Sequence, residues 1–300
     1  MFKLEYAEAI VQSITIMPPK RVRRRPASSS TSSAVSTSSV TPGQPPAVVD
    51  APVAPYQSSH LIIKDTLHKG KGVFSSTSIL QGTCIIAEQP ILTFPADIRS
   101  PNQITSIVEG CSEEARRKFL AFGFAEVHAK FDPFLRIVKT NCVPMASRNQ
   151  AGLFETICHV NHDCRPNALY CWDEALGKEV LHALVDIPAG EEITVSYYPV
   201  LDGPERCETL RSTFGFTCQC PSCSIPPTEL AQSDRRAAEL PRIIDDVAIL
   251  IRTNPTSAIA KIHQAIGIIE REKNYGRLPS QFFDAFQTCA AWRDLPNAKV

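Results

Sequence analysis

The sequence has no net charge and no long apolar run. Its 31 Lys and Arg residues match 31 Asp and Glu residues, so no overall field attracts the chain to nucleic acid or to a membrane surface. No stretch approaches the roughly 18 apolar residues that a membrane-spanning helix needs. Glu5, Glu8 and Gln12 interrupt the first 17 residues, which argues against a signal peptide. We therefore expect a protein of the nucleus, the cytoplasm or both.

An intracellular location also argues against a disulfide framework. The 11 cysteines are then better candidates for metal ligands or for core residues. The hydrophobic share of 43% and the charged share of 21% are typical of a globular protein. A chain of 300 residues is long enough for one or two domains with a sizeable core.

Residues 1–59 have little that could form a core, and we predict a disordered tail. Five basic residues occupy the six positions from Lys20 to Arg25, and a Ser- and Pro-rich stretch follows. Such a composition cannot offset its ordering entropy. The basic run fits a nuclear import signal or a nucleic-acid contact, but also a solvated charge run with no partner. Residues 1–60 carry a net charge of +3, so the rest carries −3 and is not a basic nucleic-acid platform.

The remaining chain mixes strand and helix patterns, which predicts an α+β fold. β-Branched runs bounded by glycine or turn residues predict strands at 61–65, 72–76, 83–92, 167–172, 178–187 and 191–198. Helical patterns cover residues 102–140 and, with Asp202 as N-cap, residues 203–215. After Pro227, three amphipathic helices in series predict a C-terminal helical region.

Three cysteines with the spacing C-x-C-x2-C, at Cys218, Cys220 and Cys223, suit tetrahedral zinc. A structural zinc site has four ligands. Cys164, in the polar stretch HVNHDCRPN at 159–167, is the most attractive fourth ligand. Cys207 is less suitable because it lies along a predicted helix. The alternative is that the three cysteines are incidental core residues.

Two further motifs are weak when each is taken alone. Gly70 and Gly72 bracket Lys71 before a predicted strand. That pattern is usually only a turn, since it lacks the third glycine of a dinucleotide fingerprint. Tyr197 and Tyr198 end the strand GEEITVSYY, where tyrosines are usually half-buried packing residues.

Taken in order, four motifs resemble the SET-domain protein lysine methyltransferases: G-K-G-V-F, N-H-D-C-R-P-N, G-E-E-I-T-V-S-Y and F-x-C-x-C-x-x-C. The sequence is most similar to the SET-and-MYND subfamily and related fungal SET proteins, over about residues 60–225. The resemblance implies small sheets with a pseudoknot crossing, in which Asn161 and His162 are threaded beside the strand ending at Tyr197. Such threading is rare.

The resemblance also implies a division of the chain and a set of site residues. The SET domain would span 60–200 with a helical insert at about 100–150, a post-SET zinc segment 201–226, and a C-terminal helical region 227–300. Tyr197 would be catalytic. Four cysteines would share one structural zinc: Cys164, Cys218, Cys220 and Cys223. S-adenosylmethionine would contact Lys71, Gly72, Asn141, Asn161, His162, Tyr197 and Phe216, with Lys71 and Gly72 at its methionine end and Phe216 against the adenine.

The sequence departs from the subfamily in two respects. Asp163 replaces the usual serine of N-H-S-C, which changes the hydrogen-bonding groups at the crossing. The MYND zinc module is absent, because the cysteines before the crossing have no paired spacing. These are Cys84, Cys111, Cys142 and Cys158.

Three functions are compatible with these features. The resemblance favours a protein lysine methyltransferase that acts on a histone or another protein. We expect a monomer that does not associate with membranes. Tyr198 and Phe214 are candidates to set the number of methyl groups that are added. The second is a catalytically weak SET scaffold. The third is a zinc-stabilised nucleic-acid binder, which the net charge of −3 outside the tail disfavours.

Overall fold

A computed structural model describes residues 60–67, 69–98, 100–145, 149–197 and 203–293. The predicted tail over 1–59, Tyr198 and Asp202 lie outside the described residues. The described part of the chain contains three small sheets, a helical insert and a C-terminal group of helices. This arrangement confirms the α+β class and the separate C-terminal helical region.

The strands are short, and each begins or ends close to a turn. They are β1 (Leu61–Thr66), β2 (Gly70–Ser75), β3 (Cys84–Glu88), β4 (Leu92–Pro95), β5 (Val143–Met145), β6 (Gln150–Leu153), β7 (Asn161–His162), β8 (Ala168–Asp173), β9 (Lys178–Ala183) and β10 (Glu192–Val195). They form sheets in the order β1-β2-β10-β7, β3-β9-β8 and β4-β6-β5.

The pairing of β7 with β10 is parallel, whereas the other pairs are antiparallel. Asn161 lies opposite Thr194, and His162 lies opposite Val195. The Asn167 amide holds the two segments together, since its Oδ1 accepts from the Thr194 N–H at 2.8 Å and its Nδ2 donates to the Glu192 carbonyl at 2.9 Å. The polar stretch at 159–167 therefore lies beside the strand leading to Tyr197, as the resemblance implied.

The helices belong to the insert, the post-SET segment and the C-terminal region. They are α1 (Pro101–Gly110), α2 (Glu113–Leu120), α3 (Pro133–Asn141), α4 (Gly203–Thr209), α5 (Pro227–Thr253), α6 (Pro255–Arg271) and α7 (Leu278–Ala291). A π-helical turn, Leu210–Phe214, follows α4. No helix among the described residues combines the length and apolarity needed to cross a membrane.

The helical pattern predicted over 102–140 corresponds to the three helices α1, α2 and α3, with a loop between α2 and α3. After α2 the chain forms a loop through Gly123, because glycine disfavours helix by about 1 kcal/mol. A new helix begins at Pro133, where the Asp132 carboxylate accepts hydrogen bonds from Phe134 and Leu135. The loop of residues 121–126 contributes to the main cavity described below.

Separate apolar cores support these parts. One lies between the sheets and includes Val73, Leu181 and Ile193, while a second, around Phe94 and Phe119, supports the insert. The C-terminal core takes its buried residues from α5 and α6: Leu240, Ile243, Val247, Ile262, Ala265 and Ile269. On α7 the predicted apolar face is only partly used, since Phe282 and Phe283 are exposed.

Candidate active site

One cavity of about 910 Å³ lies between the crossing, the insert and the post-SET segment. This volume is near the upper end of the roughly 300–1,000 Å³ usual for ligand sites. It therefore has room for a cofactor and part of a second substrate. Lining residues come from the turn into β2, the loop 121–126, the segment 158–162, Tyr197 and residues 214–220.

The buried Asn161 side chain has a fixed orientation at this cavity. Its Nδ2 donates to the Lys71 carbonyl at 3.1 Å and to Glu192 Oε1 at 2.7 Å. Because an amide nitrogen carries two hydrogens, both are used within the protein. Asn161 can then offer a ligand its Oδ1.

His162 lies between Tyr197 and the cysteine cluster. Its Nδ1 accepts from the Tyr197 backbone N–H at 3.0 Å, and its Nε2 lies 3.3 Å from Cys164 Sγ. Burial lowers the pKa of His162 to about 4, so the ring is neutral at physiological pH. With Nδ1 as acceptor, the ring proton is on Nε2 and points towards the Cys164 sulfur.

The Tyr197 hydroxyl is fixed by the same crossing. It donates to the Val160 carbonyl at 2.7 Å, and burial raises the pKa of the phenol above its usual value. The hydroxyl is therefore protonated over the physiological range. Phe214 and Phe216 surround the ring, with centroid distances of 5.2 and 6.4 Å, which makes this end of the cavity aromatic.

Gly72 lies behind the cavity wall rather than on it, unlike Gly70 and Lys71. A Cβ at Gly72 would meet Glu192 Oε1 at 2.8 Å and Asn161 Nδ2 at 2.9 Å. Real Cβ atoms do not approach so closely, so only glycine leaves room for the Asn161 amide. Gly72 thus acts on the site through Asn161.

Asn141, at the end of α3, connects the insert loop to the cavity. Its Nδ2 donates to the carbonyls of Gly123 and Ile137 at 2.8 and 2.9 Å. Both amide hydrogens are again used within the protein, which leaves Oδ1 as the atom that can accept from a ligand.

Cys164, Cys218, Cys220 and Cys223 converge at one end of the cavity. All four Sγ atoms lie within 4.8 Å of one another, with 3.8 Å from Cys164 to Cys218 and 3.6 Å from Cys164 to Cys223. Sulfurs at the corners of a tetrahedron with Zn–S bonds of about 2.3 Å would be about 3.8 Å apart. The four residues therefore fit a tetrahedral metal site, and Cys207 is not among them.

The pKa of each of these thiols depends on the neighbouring cysteines. Hydrogen bonds from Cys164 and Cys218 lower the pKa of Cys220 to about 5 and also depress the pKa of Cys223. Hydrogen bonding to neighbouring sulfurs raises the pKa of Cys164. Four adjacent thiolates would repel one another, and a bound cation removes that conflict.

Of the predicted cofactor-binding residues, six line the cavity: Lys71, Asn141, Asn161, His162, Tyr197 and Phe216. The sequence interpretation did not assign a role to Glu192, which holds the Asn161 amide, or to Asn167, which joins the crossing strands. Both residues belong to quoted motifs, so their polar character beside a predicted crossing was an available signal. The insert loop was also missed, although Gly123 in AFGFAE interrupts its helical pattern.

Asp163, the departure from the usual serine, keeps the main chain of the crossing ordered. Its N–H donates to the Val195 carbonyl at 3.0 Å, and its carboxylate accepts from the Arg165 N–H at 2.8 Å. Burial raises the pKa of Asp163 to about 6. The aspartate therefore takes a capping position in the turn that leads to Arg165.

Comparisons with known proteins identify a family match and related methyltransferases. Residues 70–198 match the family model described as SET domain. The histone-lysine N-methyltransferase set5 of Schizosaccharomyces pombe is 30% identical over 251 residues, which cover 82% of this chain and 76% of that protein. SET5 of Saccharomyces cerevisiae is 29% identical over 52% of this chain and 29% of that protein. Human N-lysine methyltransferase SMYD2 is 27% identical over 34% of this chain and 23% of that protein.

Proposed function

The chain belongs to the SET-domain family of protein-lysine N-methyltransferases, and we propose that it transfers a methyl group from S-adenosylmethionine to a lysine side chain of a protein substrate. The observation that carries this proposal is the convergence of Asn161, His162, Tyr197 and Phe216 on one cavity. These residues come from three separate motifs of the chain.

The polar atoms of the cavity suit the parts of this cofactor. When bound, S-adenosylmethionine supplies an activated methyl group on a sulfonium sulfur. The main chain at Lys71 and the Oδ1 atoms of Asn141 and Asn161 can accept hydrogen bonds from its amino and hydroxyl groups. Phe216, with its ring centroid 6.0 Å from that of His162, provides an apolar face for the adenine.

The chain must also align a neutral amine with the methyl group, since proximity is the main contribution to an in-line transfer. Lysine has a reference pKa of about 10.4, and an apolar channel favours loss of its proton. Tyr197, Phe214 and Phe216 form such an aromatic environment. Because the Tyr197 hydroxyl donates to Val160, its oxygen is oriented and can accept contacts from the reacting groups.

We further propose that Cys164, Cys218, Cys220 and Cys223 hold one structural Zn²⁺. The support is the fit of their sulfur separations to a tetrahedral site and the donor set itself, since four cysteines are typical of structural zinc. A metal there joins the crossing, through Cys164, to the post-SET segment that carries Phe214 and Phe216. It thereby shapes the cavity wall and takes no part in methyl transfer.

The substrate and its location follow from the relatives as proposals. Set5 of Schizosaccharomyces pombe is named a histone-lysine methyltransferase, and this chain matches most of its length. We therefore propose a histone or another protein as substrate, with action in the nucleus or the cytoplasm. The described residues contain no second cluster of metal-ligating cysteines.

The direct test is to incubate the purified chain with methyl-labelled S-adenosylmethionine and either core histones or a cell lysate. Labelled bands are hydrolysed and their methylated amino acids identified. We expect label in methyl-lysine. Tight cofactor binding without label on any protein would instead favour a SET scaffold, and the absence of cofactor binding would contradict the proposed site.

A further inference from the structure

The C-terminal helical region contacts the crossing through one buried carboxylate. Glu272, just after α6, is only 7% exposed. It accepts hydrogen bonds from Arg165 Nη2 at 2.8 Å, from Arg236 Nε at 2.5 Å and from the Ser233 hydroxyl. Arg236 and Ser233 lie on α5, whereas Arg165 lies in the crossing and follows Cys164 directly.

Direct ion pairs with Arg165 and Arg236 neutralise the charge of the Glu272 carboxylate. Burial alone would raise the pKa of Glu272, but the hydrogen bonds from Ser233, Arg236 and Arg165 hold it below its usual value. The carboxylate is therefore ionised at physiological pH. A buried charge that loses a partner is strongly destabilising, so the cluster favours one position of α5 and α6 against the crossing.

The cluster borders the cysteine site. A small cavity beside it is lined by Cys164, Arg165, Arg206 and Glu272, among others. Arg206 points from this cavity towards the cysteine sulfurs, with Nη2 3.8 Å from Cys223 Sγ. Polar groups around metal ligands orient those ligands and tune metal affinity. A displacement of Arg165 thus acts on Cys164 through one peptide bond.

We propose that Glu272 is a positioning residue that fixes the helical region to the crossing, and thereby holds Cys164 and the cavity wall in their binding geometry. The inference rests on the proposed zinc and cofactor sites. It assigns the C-terminal helices a role in metal retention and cofactor binding. Glu272 and Arg165 are 107 positions apart in the sequence, so this contact joins the helical region to the residue next to Cys164.

The test compares Glu272→Ala and Arg165→Ala with two other variants of the full chain. Arg236→Ala removes a partner of Glu272 within the helical region, and Asp246→Asn removes the more exposed Lys261–Asp246 pair between α5 and α6. Zinc release to a chromophoric chelator and the cofactor Kd from calorimetry are the readouts. We expect Glu272→Ala and Arg165→Ala to speed zinc release and to raise Kd at least fivefold. Arg236→Ala should have an intermediate effect, because Glu272 keeps its contact with Arg165, and Asp246→Asn should change either readout by less than twofold.

In the Glu272→Ala, Arg165→Ala double variant, zinc release and cofactor Kd should be no more affected than in the more impaired single variant. Both changes break the same Glu272–Arg165 contact. If Glu272→Ala does not fold, Glu272→Gln keeps the shape and removes the charge, and it should show the same effects in weaker form. A merely structural role would lower the melting temperature of all four single variants while zinc release and Kd stay unchanged. That result would overturn the inference.

Failure of the proposed function is distinguishable from failure of this inference. Hydrogen exchange of the backbone amides at 159–167 needs neither zinc nor cofactor. We expect faster exchange there in Glu272→Ala than in Asp246→Asn. Equal exchange in the two variants would refute the role of Glu272 in fixing the helical region to the crossing, even if the wild-type chain bound no metal and no cofactor.

Discussion

Replacing Gly72 with alanine adds one methyl group at a position with no space for it. The new Cβ would lie 2.7 Å from Thr66 Cγ2, 2.8 Å from Glu192 Oε1 and 2.9 Å from Asn161 Nδ2. Thr66 has little freedom to move, since its hydroxyl donates to the Gly70 carbonyl at 2.7 Å. The strain should therefore move the Asn161 amide.

The expected loss of stability combines two contributions. Overpacking typically costs about 1–3 kcal/mol. Weakening the Asn161 hydrogen bonds to Lys71 and Glu192 costs about 0.5–1.5 kcal/mol for each bond. A total of about 2–6 kcal/mol corresponds to a drop in melting temperature of roughly 4–24 °C for a folded part of this size. Because the Asn161 Oδ1 moves with its amide, cofactor affinity should also fall about tenfold or more.

Differential scanning calorimetry and cofactor titration measure both effects. Gly267→Ala is the matched control, because a Cβ at Gly267 in α6 meets nothing within 4 Å. In a helix interior this change should stabilise by about 0.5–1 kcal/mol. A Gly72→Ala variant that melts and binds cofactor like the wild type would refute the close packing at Asn161.

Three further outcomes follow from the site and the sequence. The wild-type chain should contain about one zinc, and Cys164→Ser should lose most of it; full occupancy by metal analysis would exclude Cys164 as a ligand. A chain starting at His60 should melt within a few degrees of the full chain, because residues 1–59 are predicted to add no core; a much lower melting temperature would contradict that. Glu179 is buried with no hydrogen-bond partner for its carboxyl oxygens among the described residues, and burial raises its pKa to about 8. An unfolded glutamate releases its proton at about pH 4.3. The free energy of unfolding should therefore fall as the pH rises from about 4.3 to about 8. Glu179→Gln should flatten that slope in thermal melts at pH 6 and pH 8, and an unchanged slope would show that Glu179 is not its source.

The local motifs predicted much of the site because their chemistry is local. The C-x-C-x2-C spacing brings three sulfurs together without help from the rest of the fold, and the isolated Cys164 was the only ambiguous member. The place of Asn161 and His162 beside β10 was predicted by resemblance, because a parallel pairing between distant segments has no signature in residue spacing. The paired register itself came from the structure.

The long-range contacts could not be predicted from the sequence. The insert loop is positioned by Asn141 and by Gly215, where a Cβ would lie 3.0 Å from Val127, and neither contact leaves a periodic pattern. Gly72 was predicted to contact the cofactor, but it lies behind the cavity wall, and its packing against Asn161 depends on the pairing of β2 with β10. Glu272 follows a helix in an ordinary surface-like sequence, and only the folded chain brings Arg165 to it.

The central claim is tested most directly by single-turnover methyl transfer with the wild type and Tyr197→Phe. The change deletes the hydroxyl that donates to Val160 at 2.7 Å and keeps the ring between Phe214 and Phe216. Loss of one preorganised polar group typically lowers the rate about 10²-fold or more, while most cofactor contacts remain. We predict a folded Tyr197→Phe variant that binds cofactor nearly normally and transfers methyl at least about a hundredfold more slowly, with a far smaller loss for Tyr198→Phe. Equal rates for Tyr197→Phe and the wild type, or a larger loss for Tyr198→Phe, would contradict the assignment of Tyr197 as the catalytic residue.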